Sequence, residues 1–158
     1  MHKIDVYIEP HYPLRKKQLS APALATLEEA GVKGDSLVSV SIVGDRKMRA
    51  LNKDYRGLDQ TTDVLAFPYT FSSGKEKFVE AENSEYLNLG DIIISYPQLL
   101  ERAAKEDMLV EEMAAFLVIH GTLHLLGYDH ERDEEAAKME PLEDAILSKL
   151  FPAIQVVH

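Results

Sequence analysis

The chain of 158 residues is 46% hydrophobic and carries a formal net charge of −10 at pH 7. This length supports one well-packed core, so we expect residues 1–158 to form a single domain. No apolar run approaches the roughly 18–20 residues that span a bilayer, and the first residues lack the order of a secretory signal, so we expect a cytoplasmic protein with no membrane partner. The chain has no cysteine, which excludes thiolate metal sites and leaves His, Asp and Glu as possible ligands.

The first half of the chain predicts a strand, a helix and a second strand. The segment "KIDVYI" (3–8) alternates apolar and polar residues as a half-buried strand does. A helix should follow, starting near Pro22 with Ser20 as a candidate N-cap and ending before the glycines at 31 and 34. The segment "SLVSVSIV" (36–43) alternates and is rich in β-branched residues, which predicts the second strand.

The middle of the chain predicts a short helix and two more strands. Asp45 should cap a helix that runs to about Tyr55. The segments "TTDVLAFPY" (61–69) and "LNLGDIIISYP" (87–97) read as strands, and the polar stretch 70–85 between them reads as a mobile loop.

The remainder is predicted to be helical, over 98–107, 109–126 and 133–150, with Pro141 kinking or restarting the last helix. Together these elements predict an α+β domain, a small mixed β-sheet of about four strands packed with about five helices.

Three of the six histidines fall in "HGTLHLLGYDH" (120–130), at the end of the hydrophobic helix predicted over 109–126. His120 and His124 are four residues apart, which places them on one helix face with Cβ atoms about 5–6 Å apart. Gly127 is suited to ending the helix and reversing the chain, so His130 can face the other two. Three imidazoles with a fourth position open form the ligand set of a catalytic zinc, and we predict one Zn²⁺ per chain on this buried helix.

The same spacing is found in the metzincin protease pattern H-E-x-x-H-x-x-G-x-x-H. This chain has Gly121 where those peptidases have a glutamate general base. Glycine supplies no acid or base and weakens a helix by about 1 kcal/mol relative to alanine. Peptide hydrolysis by the glutamate mechanism is therefore disfavoured, and the glycine reflects either a close approach of another group or simple tolerance.

The histidine motif, with "LNKDYRGLDQTTDVLAFP" (51–68) and "LGDIIIS" (89–95), closely resembles the YbeY family of metal-dependent endoribonucleases. Ala66 departs from the family, which usually has serine there. The resemblance implies zinc on His120, His124 and His130 and identifies Arg56 as the basic residue of the cleft. It further implies cleavage of single-stranded RNA in rRNA maturation, at the 3′ end of the small-subunit rRNA, and in ribosome quality control, with RNA and the ribosome as partners and no DNA.

Arg56 is the predicted catalytic residue, because a guanidinium can grip two phosphoryl oxygens of a phosphodiester transition state. The alternative role of Arg56 is structural, as an arginine at the end of a helix whose charge complements the helix dipole. Asp129 either orients a histidine ligand or caps a turn. The predicted RNA-binding residues are basic residues of one short helix, and the alternative, which the charge pattern alone favours, is a solvated helix face: Arg46, Lys47, Arg49 and Lys53.

Two other functions stay open from the residues alone. The first is a metzincin-like zinc hydrolase or peptidase, which Gly121 disfavours. The second is a non-catalytic ribosome-associated module with a structural zinc, against which three ligands rather than four argue.

Overall fold

The computed structural model describes residues 1–69, 86–128 and 133–152, apart from the side chains of Asp133 and Glu135. The predicted loop 70–85 lies outside the described residues. Within them the chain forms four strands and five helices: β1 (Lys3–Ile8), α1 (Lys16–Glu29), β2 (Ser36–Val43), α2 (Asp45–Arg56), β3 (Val64–Pro68), β4 (Leu87–Ser95), α3 (Tyr96–Lys105), α4 (Val110–Leu125) and α5 (Asp133–Leu150).

The four strands form one mixed sheet in the order β1-β2-β4-β3. β1 is parallel to β2 and β2 is parallel to β4, whereas β3 pairs antiparallel with β4. The predicted α+β architecture is therefore confirmed, with β2 and β4 in the centre and β1 and β3 as the edge strands.

The two faces of the sheet are covered by different helices. Ile92 and Ile94 of β4 belong to the main core with residues of α1 and α4, such as Leu27 and Leu117. Ile93, which points to the opposite face because strand side chains alternate, packs instead against a small cluster around Met48 of α2. We call these the core face and the α2 face of the sheet.

Helix α4 is the central helix of the domain. One side packs in the main core against the sheet, and the other contributes Ala115, Ile119 and Leu123 to a second cluster with residues of α5. Such a helix is apolar around its whole circumference, as the sequence of α4 predicts. Among the described residues no single helix is long and apolar enough to span a membrane; α3 and α4 qualify only as a pair, and they are bent by 111°.

The first helix begins earlier than predicted. It starts at Lys16, and Pro22 is buried within it rather than in its first turn. At the start, the backbone N–H of Arg15 donates to Oε1 of Gln18 at 2.8 Å. Pro22 removes one backbone donor from the helix, but burial of Leu19, Ala23 and Leu27 in the core holds the helix across it.

Asp45 is not the N-cap of α2. Gly44 occupies that position, and Asp45 is the first helical residue. Its carboxylate accepts hydrogen bonds from the Thr61 hydroxyl at 2.9 Å, the Ser95 hydroxyl at 2.7 Å and the Gln98 amide at 3.3 Å. Asp45 therefore ties the start of α2 to the segment before β3 and to the start of α3.

Two further boundaries differ from the predictions. β3 is shorter than 61–69, and β4 ends at Ser95 because that residue caps α3, whose Gln98 N–H donates to the Ser95 hydroxyl at 3.4 Å. Helix α5 has the predicted bounds, 133 to 150, and it continues through Pro141 without restarting there.

Gly121 marks the closest approach of α4 to the sheet. A methyl group at this position would lie 2.8 Å from Cγ2 of Ile92 on β4, inside normal contact distance. Ile92 is fully buried and β-branched, so its side chain has little freedom to move away. The glycine next to His120 is thus explained by a close approach, and simple tolerance is excluded.

We expect Gly121→Ala to lower the free energy of unfolding by about 1 kcal/mol. The clash with Ile92 should cost about 1–3 kcal/mol, which exceeds the gain of about 1 kcal/mol in helix propensity. Urea unfolding of the two single variants and of Gly121→Ala/Ile92→Ala measures the coupling between the positions. The cost of Gly121→Ala should disappear when Ile92 is alanine; strictly additive effects would contradict the packing explanation.

Candidate functional site

The two helical histidines face each other on α4. The Nε2 atoms of His120 and His124 are 3.0 Å apart. Their ring centroids are 4.6 Å apart and the rings are inclined at 72°. The i, i+4 spacing therefore produces the paired arrangement that the sequence predicts, with one nitrogen of each ring directed at the other.

A buried carboxylate from another helix holds His120. Oε2 of Glu143, on α5, lies 2.8 Å from Nδ1 of His120. The Glu143 side chain is only 6% exposed, so its carboxylate requires a polar partner. Because a carboxylate accepts, His120 carries its proton on Nδ1 and its Nε2 lone pair is directed toward His124.

This geometry fits two ligands of one metal ion. Two nitrogens bound to a tetrahedral zinc at about 2.0–2.1 Å are separated by about 3.3–3.4 Å, and the observed separation is 3.0 Å. Histidine ligands also commonly donate their second N–H to a carboxylate, as His120 does here to Glu143. The donor set and its spacing are thus suited to a metal.

Two of the predicted residues, Asp129 and His130, lie outside the described residues, so the third ligand and the orienting aspartate stay predictions. Within the described part of the chain, no group of three His, Asp or Glu side chains meets in a way that could hold a metal ion. The residues brought together are His120 and His124. The residue that sequence reasoning missed is Glu143.

An aromatic ring packs against the histidine pair, and a cation packs against that ring. The Phe116 ring stacks on His120 with centroids 6.0 Å apart, and the Arg102 guanidinium lies 5.3 Å from the Phe116 centroid. Burial would lower the pKa of Arg102, but hydrogen bonds to Glu106 and Asp63 raise it above its usual value. Arg102 is therefore a permanently charged group, held by two carboxylates, that braces the ring next to His120.

The predicted RNA-binding residues lie on the other side of the sheet. Helix α2 packs on the α2 face, whereas α4 lies on the core face. All five basic side chains of α2 are exposed: Arg46, Lys47, Arg49, Lys53 and Arg56. Arg56 is the last residue of α2, in the position where a cation complements the helix dipole.

One of these cations already has an anionic partner. Nε of Arg49 donates to Oδ1 of Asp59 at 2.8 Å, and this hydrogen bond lowers the pKa of the Asp59 carboxyl. Arg46 and Arg49 line an open cleft together with Asp45, Asp59, Gln60 and Thr61. A phosphate would have to compete with Asp59 for Arg49, so this residue is the weakest of the five as an RNA contact.

Comparison with known proteins identifies a well-populated family. The family model described as Endoribonuclease YbeY matches residues 11–151. A protein named Endoribonuclease YbeY from Thermoanaerobacter sp. strain X514 is 40% identical over 116 residues, covering 72% of this chain and 73% of that protein. The protein of the same name from Acinetobacter baylyi is 36% identical over 147 residues, covering 92% of this chain and 89% of that protein. The one from Janthinobacterium sp. strain Marseille is 38% identical over 152 residues, covering 95% of this chain and 93% of that protein.

The fold is also found among solved structures. The solution structure of a Thermotoga maritima protein matches with a TM-score of 0.61 at 27% sequence identity. The match covers 94% of this chain and 89% of that one.

We expect Glu143→Ala to change the tautomer of His120 in the metal-free protein. Without the carboxylate the hydrogen bond to Glu143 that holds the proton on Nδ1 is lost, so the ring should shift toward a mixture of the two neutral tautomers. Nitrogen-15 chemical shifts of the imidazole, measured by NMR with chelator present, report this directly.

Two variants calibrate that measurement. Glu143→Gln keeps an acceptor oxygen and should preserve most of the Nδ1–H form, while Glu140→Ala changes an exposed acid on the same helix and should leave the His120 spectrum unaltered. An unchanged His120 spectrum in Glu143→Ala would show that the carboxylate does not orient the ring.

Proposed function

Since the chain belongs to the YbeY family of endoribonucleases, we propose that it is a zinc-dependent enzyme that cleaves single-stranded RNA during ribosomal RNA maturation. That it is an endoribonuclease, a hydrolase of phosphodiester bonds, follows from the family itself. Its proposed tasks are processing at the 3′ end of the small-subunit rRNA and ribosome quality control. RNA is its substrate, and the proposed partner is the ribosome in the cytoplasm.

The observation that carries the zinc proposal is the orientation of the histidine pair. The 3.0 Å separation of the two Nε2 atoms and the Glu143 carboxylate behind His120 prepare both rings to bind one ion. His120 and His124 would hold zinc together with the predicted ligand His130. Bound zinc would lower the pKa of a water molecule toward about 7 and act as a Lewis acid toward a phosphoryl oxygen.

The packing of Gly121 argues against the peptidase alternative. A glutamate there would place its Cβ within 2.8 Å of Ile92 before the carboxylate is reached. The general base of the metzincin mechanism is therefore absent from this chain, and the packing against Ile92 opposes a side chain at its position. A non-catalytic zinc module is disfavoured because the relatives are named as endoribonucleases.

Arg56 is the proposed transition-state cation. Cleavage of a phosphodiester accumulates negative charge on the phosphoryl oxygens, and a planar guanidinium can donate to two of them at once. The exposed position of Arg56 at the end of α2 leaves it free to meet substrate. Arg46, Lys47 and Lys53, and Arg49 in competition with Asp59, would guide the RNA backbone by charge.

The purified protein should contain one tightly held zinc per chain. Replacing both His120 and His124 with alanine removes two of three proposed ligands and should reduce the bound metal to near zero, as measured by inductively coupled plasma mass spectrometry. His11→Asn is the matched control, because His11 is exposed and has a φ of 83°, which asparagine tolerates. Full zinc content in the double variant would refute the site.

We expect Arg56→Ala to retain its zinc and fold but to cleave RNA about a hundredfold or more slowly. This is the loss for one missing transition-state donor, about 2.7–4 kcal/mol. Arg56→Lys should recover part of the rate, because lysine keeps the charge without the planar fork.

The control for this change is Lys33→Ala, which removes an exposed cation outside α2. It should cleave at the parental rate. Parental cleavage by metal-loaded Arg56→Ala would make Arg56 a structural residue and reject its proposed role as a phosphoryl clamp.

A further inference from the structure

Tyr55 has an unusual environment for a large aromatic side chain. It is 68% exposed, more than Tyr7 at 53%, and these are the two most exposed tyrosine or phenylalanine residues in the described part of the chain. One side of the ring packs against Phe67, with centroids 4.5 Å apart and the planes inclined at 43°. The contact restrains the ring while most of its surface stays open to solvent.

Phe67 makes this contact from a fixed position. It lies on β3 and packs against the small cluster of the α2 face that includes Met48 and Leu65. A stacking surface needs this combination, because a ring that is already held loses little conformational entropy when a ligand covers it. Folding alone does not require the exposed face of Tyr55, since Tyr55 contributes little buried area.

Two exposed cations and one exposed acid, Asp54, lie beside Tyr55 in the sequence. Arg56 follows Tyr55 directly and Lys53 precedes it by two residues, and both are exposed on a chain whose net charge is −10. Aromatic rings that accept stacked bases, placed beside cations that contact the backbone, are the usual elements of a single-strand nucleic-acid surface. This charge pattern favours a nucleotide over an apolar peptide.

Phe67 connects the Tyr55 ring to the end of the histidine helix. The backbone carbonyl of Phe67 packs so closely on Gly90 of β4 that no side chain fits there, and Cδ2 of Leu125 lies 2.8 Å from the point that such a side chain would occupy. Leu125 directly follows His124 on α4. The backbone of Phe67 therefore lies close to the end of the histidine helix, while its ring packs with Tyr55 on the α2 face of the sheet.

We propose that Tyr55, supported by Phe67, forms a subsite that stacks one unpaired base of the RNA substrate beside the bond to be cleaved. The proposal rests on the proposed endoribonuclease function and adds a base-binding residue to it. Bases in a duplex are already stacked on both faces, so the subsite selects single-stranded RNA with little preference among the four bases.

The test measures binding of a fluorescent single-stranded 2′-O-methyl RNA to the zinc-loaded protein by anisotropy, with the probe checked by gel to be intact. Tyr55→Ala should weaken binding by about tenfold or more, and Tyr55→Phe should bind like the parent because it keeps the ring. The dependence of affinity on salt should be unchanged, because no phosphate contact is lost. Tyr7→Ala, which removes an exposed tyrosine at the β1 edge, should have no effect.

A scan of the probe with single abasic nucleotides locates the base. At one position, loss of the base should weaken binding to the parent but not to Tyr55→Ala. The subsite is rejected if Tyr55→Ala binds the intact probe as tightly as the parent does. It is also rejected if no abasic position weakens binding to the parent more than binding to Tyr55→Ala. The endoribonuclease proposal stands in either case. If the parent neither binds nor cleaves single-stranded RNA, both proposals fall.

Discussion

The packing of α4 between the sheet and α5 is the constraint on which the rest of the site depends. Gly121 lets the helix approach Ile92 closely, and the opposite side of the helix packs against α5. A helix held on both sides cannot rotate or slide without losing one of these contacts. The positions of His120 and His124 are therefore set by core packing, and their geometry does not depend on a flexible loop.

The same packing brings a buried acid to the site. Glu143 is on the helix that covers the outer side of α4, and its carboxylate reaches His120 at 2.8 Å. Burying a carboxylate is costly unless it is hydrogen-bonded, so the contact with His120 stabilises Glu143 as well as orienting the ring. Core packing and site chemistry thus share the α4–α5 interface, and a change that loosens this interface should affect both.

Local patterns were sufficient to predict much of this structure. The i, i+4 histidines, the apolar circumference of α4 and the alternating strands β1 and β2 each follow from neighbours in sequence. Glu143 could not be found in this way, because it lies 23 residues from His120 on another helix and no spacing rule connects them. The prediction placed the start of α1 near Pro22, but the helix begins at Lys16. Core packing of Leu19 and Leu27 outweighs the preference of proline for the first turn of a helix.

The placement of the basic helix has a consequence for the substrate. Helices α2 and α4 pack on opposite faces of one sheet, so an RNA that contacts the cations of α2 and the histidines of α4 has to turn at the border of the sheet, and Tyr55 packs on its edge strand β3. A single strand can follow so tight a path because its backbone bends at each nucleotide, whereas a stacked duplex is far stiffer. Stacking of one base on Tyr55 at that edge would fix the bend and present the adjoining phosphodiester to the histidine pair. Preference for single-stranded RNA would then arise from the path that the fold imposes on the substrate, without any residue that reads base sequence.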